Sequence, residues 1–489
     1  MATNLSMSRR KFLATSGVAL AGSSFIHPLS EIQAATTSPL RPAAKLKLAL
    51  VGTGARGVSM WGRDLVVRYP DRIEFVGLCD MNPGRVEAGK KLIGVNCRTY
   101  SDLKNPMGAF EKMIQETKPD LVIVTTVDAY HCDYIVRSME LGVNVLTEKP
   151  MVINEKQIQQ VLDTEKKTGM KTRVGHNARY SPSASKIWEL LRAGEIGDIT
   201  SVNLNWYLDT SHGADYFRRW HRLAEKGGTL LLHKASHHFD LLNYWIDSDP
   251  ASVYALGSLD FYGKNGKFRA ENCRTCPYKK ECKLYFQIER PDMSAAMKDA
   301  AGMSNQDESD PYKELYLDNE KYDGYLRDGC VFKNDINIFD KMSATIGYAN
   351  GVHVAYSLTA YSPYEGFRLA INGTKGRLDY WAQHSQPTHD VDYEEVVLFK
   401  HFSRRQYIPI SKIATTHGGS DDLLRDQIFI PNTPDPFHQC AGTRDGALSC
   451  LIGIAARNSI HSGQPVKIAD LTSLKPQVKK EYQRNMLNL

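Results

Sequence analysis

Apolar residues recur along this chain with two different periods, and the change between them marks its organisation. From residue 46, short, largely apolar runs alternate with amphipathic stretches. Leu46 to Val51, Ile73 to Cys79, Leu121 to Thr126 and Asn144 to Thr147 predict buried strands. The run from residue 55 to about Tyr69 and the stretch His131 to Leu141 predict helices. Such alternation implies a parallel, doubly wound sheet. Beyond about Thr172 the period falls to two, in Ile199 to Tyr207, Val253 to Phe261, Met342 to Tyr348 and Val352 to Ala360. These predict a large, mostly antiparallel open sheet with one covered face. Asn372-Gly373-Thr374-Lys375-Gly376 reads as a hairpin connection between two such strands. Helices at Ser181 to Ala193, His237 to Ile246 and Ala447 to His461 are expected to cover the sheet. Residues 263–330 and 382–436, poorer in apolar positions, read as insertions. The fold class is therefore α/β: a Rossmann-type domain over 46–172 followed by an α+β domain over 173–489.

Composition adds exclusions. With 489 residues, 42% hydrophobic and 24% charged, the chain has ordinary globular composition. The formal charge of +6 is spread out, without basic runs interleaved with aromatics, so neither nucleic acid nor a membrane surface is an expected partner. The N-terminus stands apart. Ser8-Arg9-Arg10-Lys11-Phe12-Leu13 precedes a weakly apolar stretch to Ile26, too short to span a bilayer. It resembles a twin-arginine export signal, expected over 1–35 with cleavage near Ala34 or Ala35, and residues 36–45 read as a linker. Export by that route implies a periplasmic or otherwise exported protein that folds around its cofactor before it leaves the cytoplasm.

The first chemical motif is Gly52-Thr53-Gly54-Ala55-Arg56-Gly57, between a predicted strand and a predicted helix. Gly52 suits the tight turn, Gly54 the approach of a pyrophosphate, and Gly57 close packing of helix on strand. Asp80 lies 23 residues past Gly57 at the end of the second strand, where a carboxylate accepts hydrogen bonds from ribose hydroxyls. It would repel a 2′-phosphate, which favours NAD over NADP, while Arg56 and Arg85 work against that preference.

Together with Glu148-Lys149-Pro150 and the stretch Gly227 to Asp240, these motifs resemble the Gfo/Idh/MocA oxidoreductases, a family that includes glucose-fructose oxidoreductase and inositol dehydrogenases. The resemblance implies that Lys149 lies beside the nicotinamide and the reacting hydroxyl, with Glu148 in the same turn. It also implies that Thr126, Asp128 and His131 belong to the cofactor-facing loop, where the family carries Thr-Pro-Asn and this chain Thr126-Val127-Asp128. In Val174 to Tyr180, Asn177 is implied at the cofactor and Arg179 and Tyr180 at the substrate. The family's second motif runs three glycines, an aspartate, and a histidine four residues on. Here His237 falls on the histidine, and His233 stands where the family has aspartate.

Oxidising a hydroxyl-bearing carbon needs a base, and histidine, with a pKa of about 6.5, suits that role near neutral pH. His237 is the preferred base, Lys149 its electrostatic partner, and His233 contributes by hydrogen bonding. Zinc on His233 and His237, four residues apart, and burial as satisfied core polar groups are the competing readings. His212, Tyr216, Arg219 and Trp220 lie in a stretch dense in aromatic and hydrogen-bonding groups that suits a sugar pocket or, equally, a solvated surface helix. Among nine cysteines, Cys273, Cys276, Cys282 and Cys330 have spacing that fits a structural zinc, disulfides in an oxidising compartment, or unlinked thiols. The expected activity is an exported, NAD-dependent oxidoreductase that acts on a sugar or sugar derivative with tightly held cofactor. The alternatives are a glycoside hydrolase that oxidises and re-reduces its substrate on NAD, and a non-enzymatic nucleotide sensor. A homodimer or homotetramer is what the resemblance implies.

Overall fold

The computed structural model describes residues 44–288, 311–384, 393–411, 413 and 416–479. The export signal and nearly all of the linker expected before residue 46 lie outside these residues. Among the described residues no helix is long and apolar enough to cross a membrane.

The apolar runs form a six-stranded parallel sheet: β1 (Leu46–Val51), β2 (Ile73–Cys79), β3 (Arg98–Tyr100), β4 (Leu121–Val124), β5 (Asn144–Thr147) and β6 (Thr172–Val174), in the order β3-β2-β1-β4-β5-β6. Every residue of β4 is buried, as expected for a strand covered on both faces. The order reverses between β1 and β4, which opens a crevice at their carboxyl ends where this architecture binds dinucleotides. Several elements depart from expectation: β4 ends at Val124, and β6, like β3, is not among the predicted strands. β3 is too short to be seen as an apolar run. The helix after the glycine turn is interrupted by a π-helical segment, Ser59–Arg63. That segment buries Trp61, whose indole N–H donates to Glu148 Oε1 at 2.7 Å.

The alternating segments build a nine-stranded sheet from β7 (Ile199–Asp209), β8 (Pro250–Ser258), β9 (Lys341–Tyr348), β10 (His353–Ser362), β11 (Gly366–Gly373), β12 (Gly376–Gln383), β13 (Tyr393–Lys400), β14 (Gln406–Ser411) and β15 (Val466–Lys467). Its order is β14-β13-β12-β11-β7-β10-β9-β8-β15, antiparallel except for β7 beside β10. β9 and β10 alternate strictly between buried and more exposed positions. The helices Ala235–Ile246 and Thr443–Ser462 pack on each other, the latter also against β8. β8 ends before Phe261, because the N–H groups of Asp260, Phe261 and Tyr262 turn to the Asp340 carboxylate at 2.9, 2.7 and 3.0 Å. Residues 382–436 are more than an insertion. Val396, Leu398 and Ile410 are buried, so that β13 and β14 extend the sheet, and helix Ser420–Phe429 follows them.

Candidate active site

The glycine turn is shaped by contact as well as by conformation. Gly52 has φ +94, and a Cβ there would lie 2.6 Å from the Thr125 carbonyl; one on Gly57 would lie 2.2 Å from Gly52 O. Both positions exclude any side chain. A Cβ on Gly54 would lie 3.4 Å from the Tyr316 hydroxyl, which accepts from the neighbouring Ala55 N at 2.9 Å and so covers this part of the turn. The Asp80 carboxylate closes β2: Oδ2 accepts from Thr53 N at 2.8 Å, and Oδ1 from Asn82 N at 2.9 Å. A glycine turn with a carboxylate at the adjacent strand end fits the pyrophosphate and ribose of a dinucleotide.

At the other end of the crevice, Glu148-Lys149-Pro150 follows β5. Glu148 Oε1 accepts from Arg56 Nε at 2.8 Å as well as from Trp61. Burial would raise the Glu148 carboxyl, but Arg56 and Lys149 more than offset it and hold the group below its ordinary range. His131 lies between the carbonyls of Pro150 (Nδ1, 2.8 Å) and Thr126 (Nε2, 3.1 Å), tying this turn to the loop after β4. Buried to 1% exposure, with burial lowering its pKa against the opposing pull of the two carbonyls, His131 is a fastening between loops.

Asp128 and His233 meet from opposite domains. Asp128, 2% exposed in the loop after β4, places Oδ2 2.6 Å from His233 Nδ1. The Lys149 ammonium donates to the His233 carbonyl at 3.1 Å. Burial pushes the Asp128 carboxyl up, with Lys149 and Arg219 drawing it back toward the ionised form. Burial, then the charges of His221, Lys149 and Arg219, pulls the His233 imidazole well down. Burial also lowers His237, with Lys149 and His176 the next largest influences. Its Nδ1 has no hydrogen-bond partner among the described residues. Burial brings the Lys149 ammonium down to about 8 against the opposing pull of Glu148 and Asp128.

The stretch 210–222 forms the wall opposite. His221 and Tyr216 lie with ring centroids 4.0 and 5.3 Å from His233, and Trp220 at 5.6 Å. His212 places Nε2 2.8 Å from the Tyr216 hydroxyl and Nδ1 2.8 Å from Glu365. Arg219 pairs with Asp215 at 2.9 Å. The pocket alternative therefore fits this segment better than a solvated helix. Lys234 also turns inward, with Nζ 4.0 Å from Glu365.

Several sequence expectations need correction. Arg179 is 1% exposed and saturated by Asp240 (2.6 Å, twice) and Asp445 (2.9 Å), so it cannot reach a substrate. Tyr180, also 1% exposed, accepts from Arg173 Nη2 at 2.8 Å. Asn177 donates to Asp421 at 2.6 Å from a buried position. Cys273, Cys276, Cys282 and Cys330 do converge, around one enclosed cavity of about 10 Å³. All four are free thiols, and among the described residues no three His, Cys, Asp or Glu side chains are placed to hold a metal ion. Among the described residues zinc is therefore supported neither at these four cysteines nor on His233 and His237, and no disulfide links the four. Cys273 Sγ accepts from Arg218 Nη1 at 3.2 Å, and the insertion is closed by backbone bonds, Cys273 N to Asp328 O at 2.8 Å and Cys330 N to Glu271 O at 3.2 Å. Asp421, Glu365, His176 and Tyr316 complete the site without having been singled out by sequence. Asp421, at the start of a helix after two glycines, reads locally as an ordinary helix-terminus carboxylate.

Comparison with known proteins agrees with this geometry. A family described as "Oxidoreductase family, NAD-binding Rossmann fold" matches residues 46–176, and one described as "Oxidoreductase family, C-terminal alpha/beta domain" matches 188–468. The oxidoreductase YteT of Bacillus subtilis (strain 168) is 34% identical over 435 residues, 87% of this chain and 98% of that protein. Glycosyl hydrolase family 109 protein 1 of Akkermansia muciniphila is 28% identical over 227 residues, 40% of this chain and 46% of its own length. A solved structure of levoglucosan dehydrogenase in complex with NADH superposes with a TM-score of 0.59 at 16% identity, covering 87% of this chain and 99% of that one. With both domain patterns matched in order along one chain, this protein belongs to the NAD-binding Gfo/Idh/MocA oxidoreductase family.

Proposed function

We propose that this protein is an exported oxidoreductase that oxidises a ring-hydroxyl carbon of a sugar or sugar derivative with a tightly held NAD. The observation that carries the reading is the 2.6 Å contact of Asp128 with His233, beside an ammonium, Lys149, that bonds the His233 carbonyl. Bound NAD accepts a hydride at its nicotinamide ring. The residues supply the rest. Asp128 holds the proton of the neutral His233 on Nδ1, which leaves Nε2 as the acceptor for the substrate hydroxyl proton. Lys149 stabilises the charge that develops on oxygen. His237, whose Nδ1 nothing orients, is better suited to positioning a hydroxyl than to being the base. Glycine turn, Asp80 and Glu148 would hold the cofactor. The name of the superposed levoglucosan dehydrogenase supports a carbohydrate substrate, and the Ser8 to Leu13 motif supports export. Association into a homo-oligomer through the uncovered face of the nine-stranded sheet is part of the same reading. That face is small and polar along Ser343, Thr345, Ala355 and Ser357, and Tyr254 is 40% exposed near its edge.

The relative named as a family 109 glycosyl hydrolase supports a second reading, transient oxidation with the hydride returned. One experiment separates the two. The mature protein is denatured and its supernatant assayed for NAD, and intact protein is incubated with free sugars and with glycosides. Accumulating NADH with a free sugar supports dehydrogenation, and aglycone release without net NADH supports the hydrolase. Asp128→Asn should lower kcat about a hundredfold with little effect on NADH binding. Unchanged turnover in that variant would remove the dyad from the chemistry.

A further inference from the structure

The adenosine end of the crevice is bordered by a segment that a Rossmann fold does not require. Residues 311–325, from the insertion in the second domain, lie against the glycine turn and the loop after β2. The Tyr316 hydroxyl accepts from Ala55 N at 2.9 Å, and Asn82 Nδ2 donates to Asn319 O at 2.9 Å. A Cβ on Gly84 would lie 1.8 Å from Asn319 Oδ1. Within this contact Arg85 is enclosed. Its Nη2 donates to Asp323 Oδ2 at 2.7 Å, its Nη1 to Asp80 Oδ1 at 3.3 Å, and its Nε to Leu315 O at 3.4 Å. The guanidinium lies 5.7 Å from the ring centroid of Tyr316 and 5.9 Å from that of Tyr325.

An arginine shortly after the acidic end of β2 is where Rossmann proteins accommodate a 2′-phosphate. Here that arginine faces two carboxylates with side chains only 8 and 9% exposed, so the group as a whole carries a net negative charge. We propose that Asp323 determines cofactor specificity: it ties Arg85 away from a 2′-phosphate and adds a second carboxylate beside Asp80, so that NADP is rejected. This rests on the reading of the crevice as a dinucleotide site. It places a determinant of cofactor choice in the second domain, 243 residues from Asp80 in the chain.

The test is binding, read without substrate. NADH and NADPH are titrated against the full-length protein by cofactor fluorescence for the wild type, Asp323→Asn, and Asp323→Asn combined with Arg85→Ala. Wild type should favour NADH. Asp323→Asn should narrow the ratio of the two Kd values about tenfold, mainly by tightening NADPH, the size expected from removing one nearby charge. Adding Arg85→Ala should abolish the gain. An unchanged ratio, equal weakening of both cofactors, or a gain that survives Arg85→Ala would each overturn the proposal. Failure of the wild type to bind either cofactor would instead overturn the reading of the crevice, and the proposal with it.

Discussion

Arg179 offers a direct test of whether a motif residue serves substrate or fold. Its guanidinium makes two 2.6 Å bonds to Asp240 and one of 2.9 Å to Asp445, and stands 5.3 Å from the Tyr244 ring centroid. Asp240 is 0% and Asp445 6% exposed. Arg179→Leu leaves both carboxylates without their cation. His176 Nε2 remains 3.7 Å from Asp240, and Asp445 keeps the bond from Gly442 N at 3.1 Å. Breaking a buried pair by removing one partner costs about 3–5 kcal/mol, and two stranded acids place this variant at or above about 4 kcal/mol. That is a large share of the roughly 5–15 kcal/mol that holds a typical domain folded. Urea unfolding should show it as a lower midpoint. Replacing the acids as well, in Arg179→Leu/Asp240→Asn/Asp445→Asn, should recover part of the loss, because no buried charge then lacks a partner. The reasoning is refuted if Arg179→Leu unfolds within about 1 kcal/mol of wild type, the range of ordinary surface substitutions, while sugar turnover collapses. Arg179 would then be a substrate ligand after all.

Two further outcomes follow from local chemistry. The Lys149 ammonium, brought down to about 8, should support turnover below that pH and lose it as pH rises through about 8, and Lys149→Arg should abolish this alkaline limb. Because its pKa is lowered from 10.5, the folded state releases this proton first, so stability should rise between about pH 8 and 10.5 in the wild type and not through this group in Lys149→Met. Thr229 holds φ +85 and ψ 171 just before the short helix Leu230–His233, where the family motif has glycine. Relief of about 1–3 kcal/mol of strain outweighs the few tenths lost at the cap and about 0.5–1 kcal/mol of unfolded-state entropy, so Thr229→Gly should raise the thermal midpoint; a fall would show that the Thr229 cap on Leu231 N dominates.

The parallel sheet was legible because its strands are mostly buried and therefore read as largely apolar runs; β1, β2 and β5 have the bounds that pattern predicts. β3 and β6, three residues each, offer too little sequence for any period to appear. β13 and β14 were hidden for another reason. They lie at the sheet edge, where half of each strand is polar and the buried residues are few. Lys149, His233 and His237 were legible as motif residues. Glu365 and Asp421 were not, because a carboxylate just before a strand or at a helix start has an ordinary local explanation. Tertiary contacts, of Glu365 with His212 and Lys234 and of Asp421 with Asn177 and Arg56, give them another.

The family motif places aspartate and histidine one turn apart on a single helix, so that their relation is settled by local structure. In this chain the carboxylate has moved. His233 occupies the aspartate position, and its acidic partner Asp128 comes from the loop after β4, where the family has asparagine. The exchange keeps a carboxylate and an imidazole in the site but changes what assembles them. Asp128 belongs to the Rossmann domain and His233 to the second domain, and Lys149 reaches across the same boundary to the His233 carbonyl. Any displacement of one domain from the other therefore breaks two polar contacts at His233 together. On the proposed mechanism, a base formed across a domain boundary is competent only when the crevice is closed, which is also the arrangement that shields a bound dinucleotide from solvent.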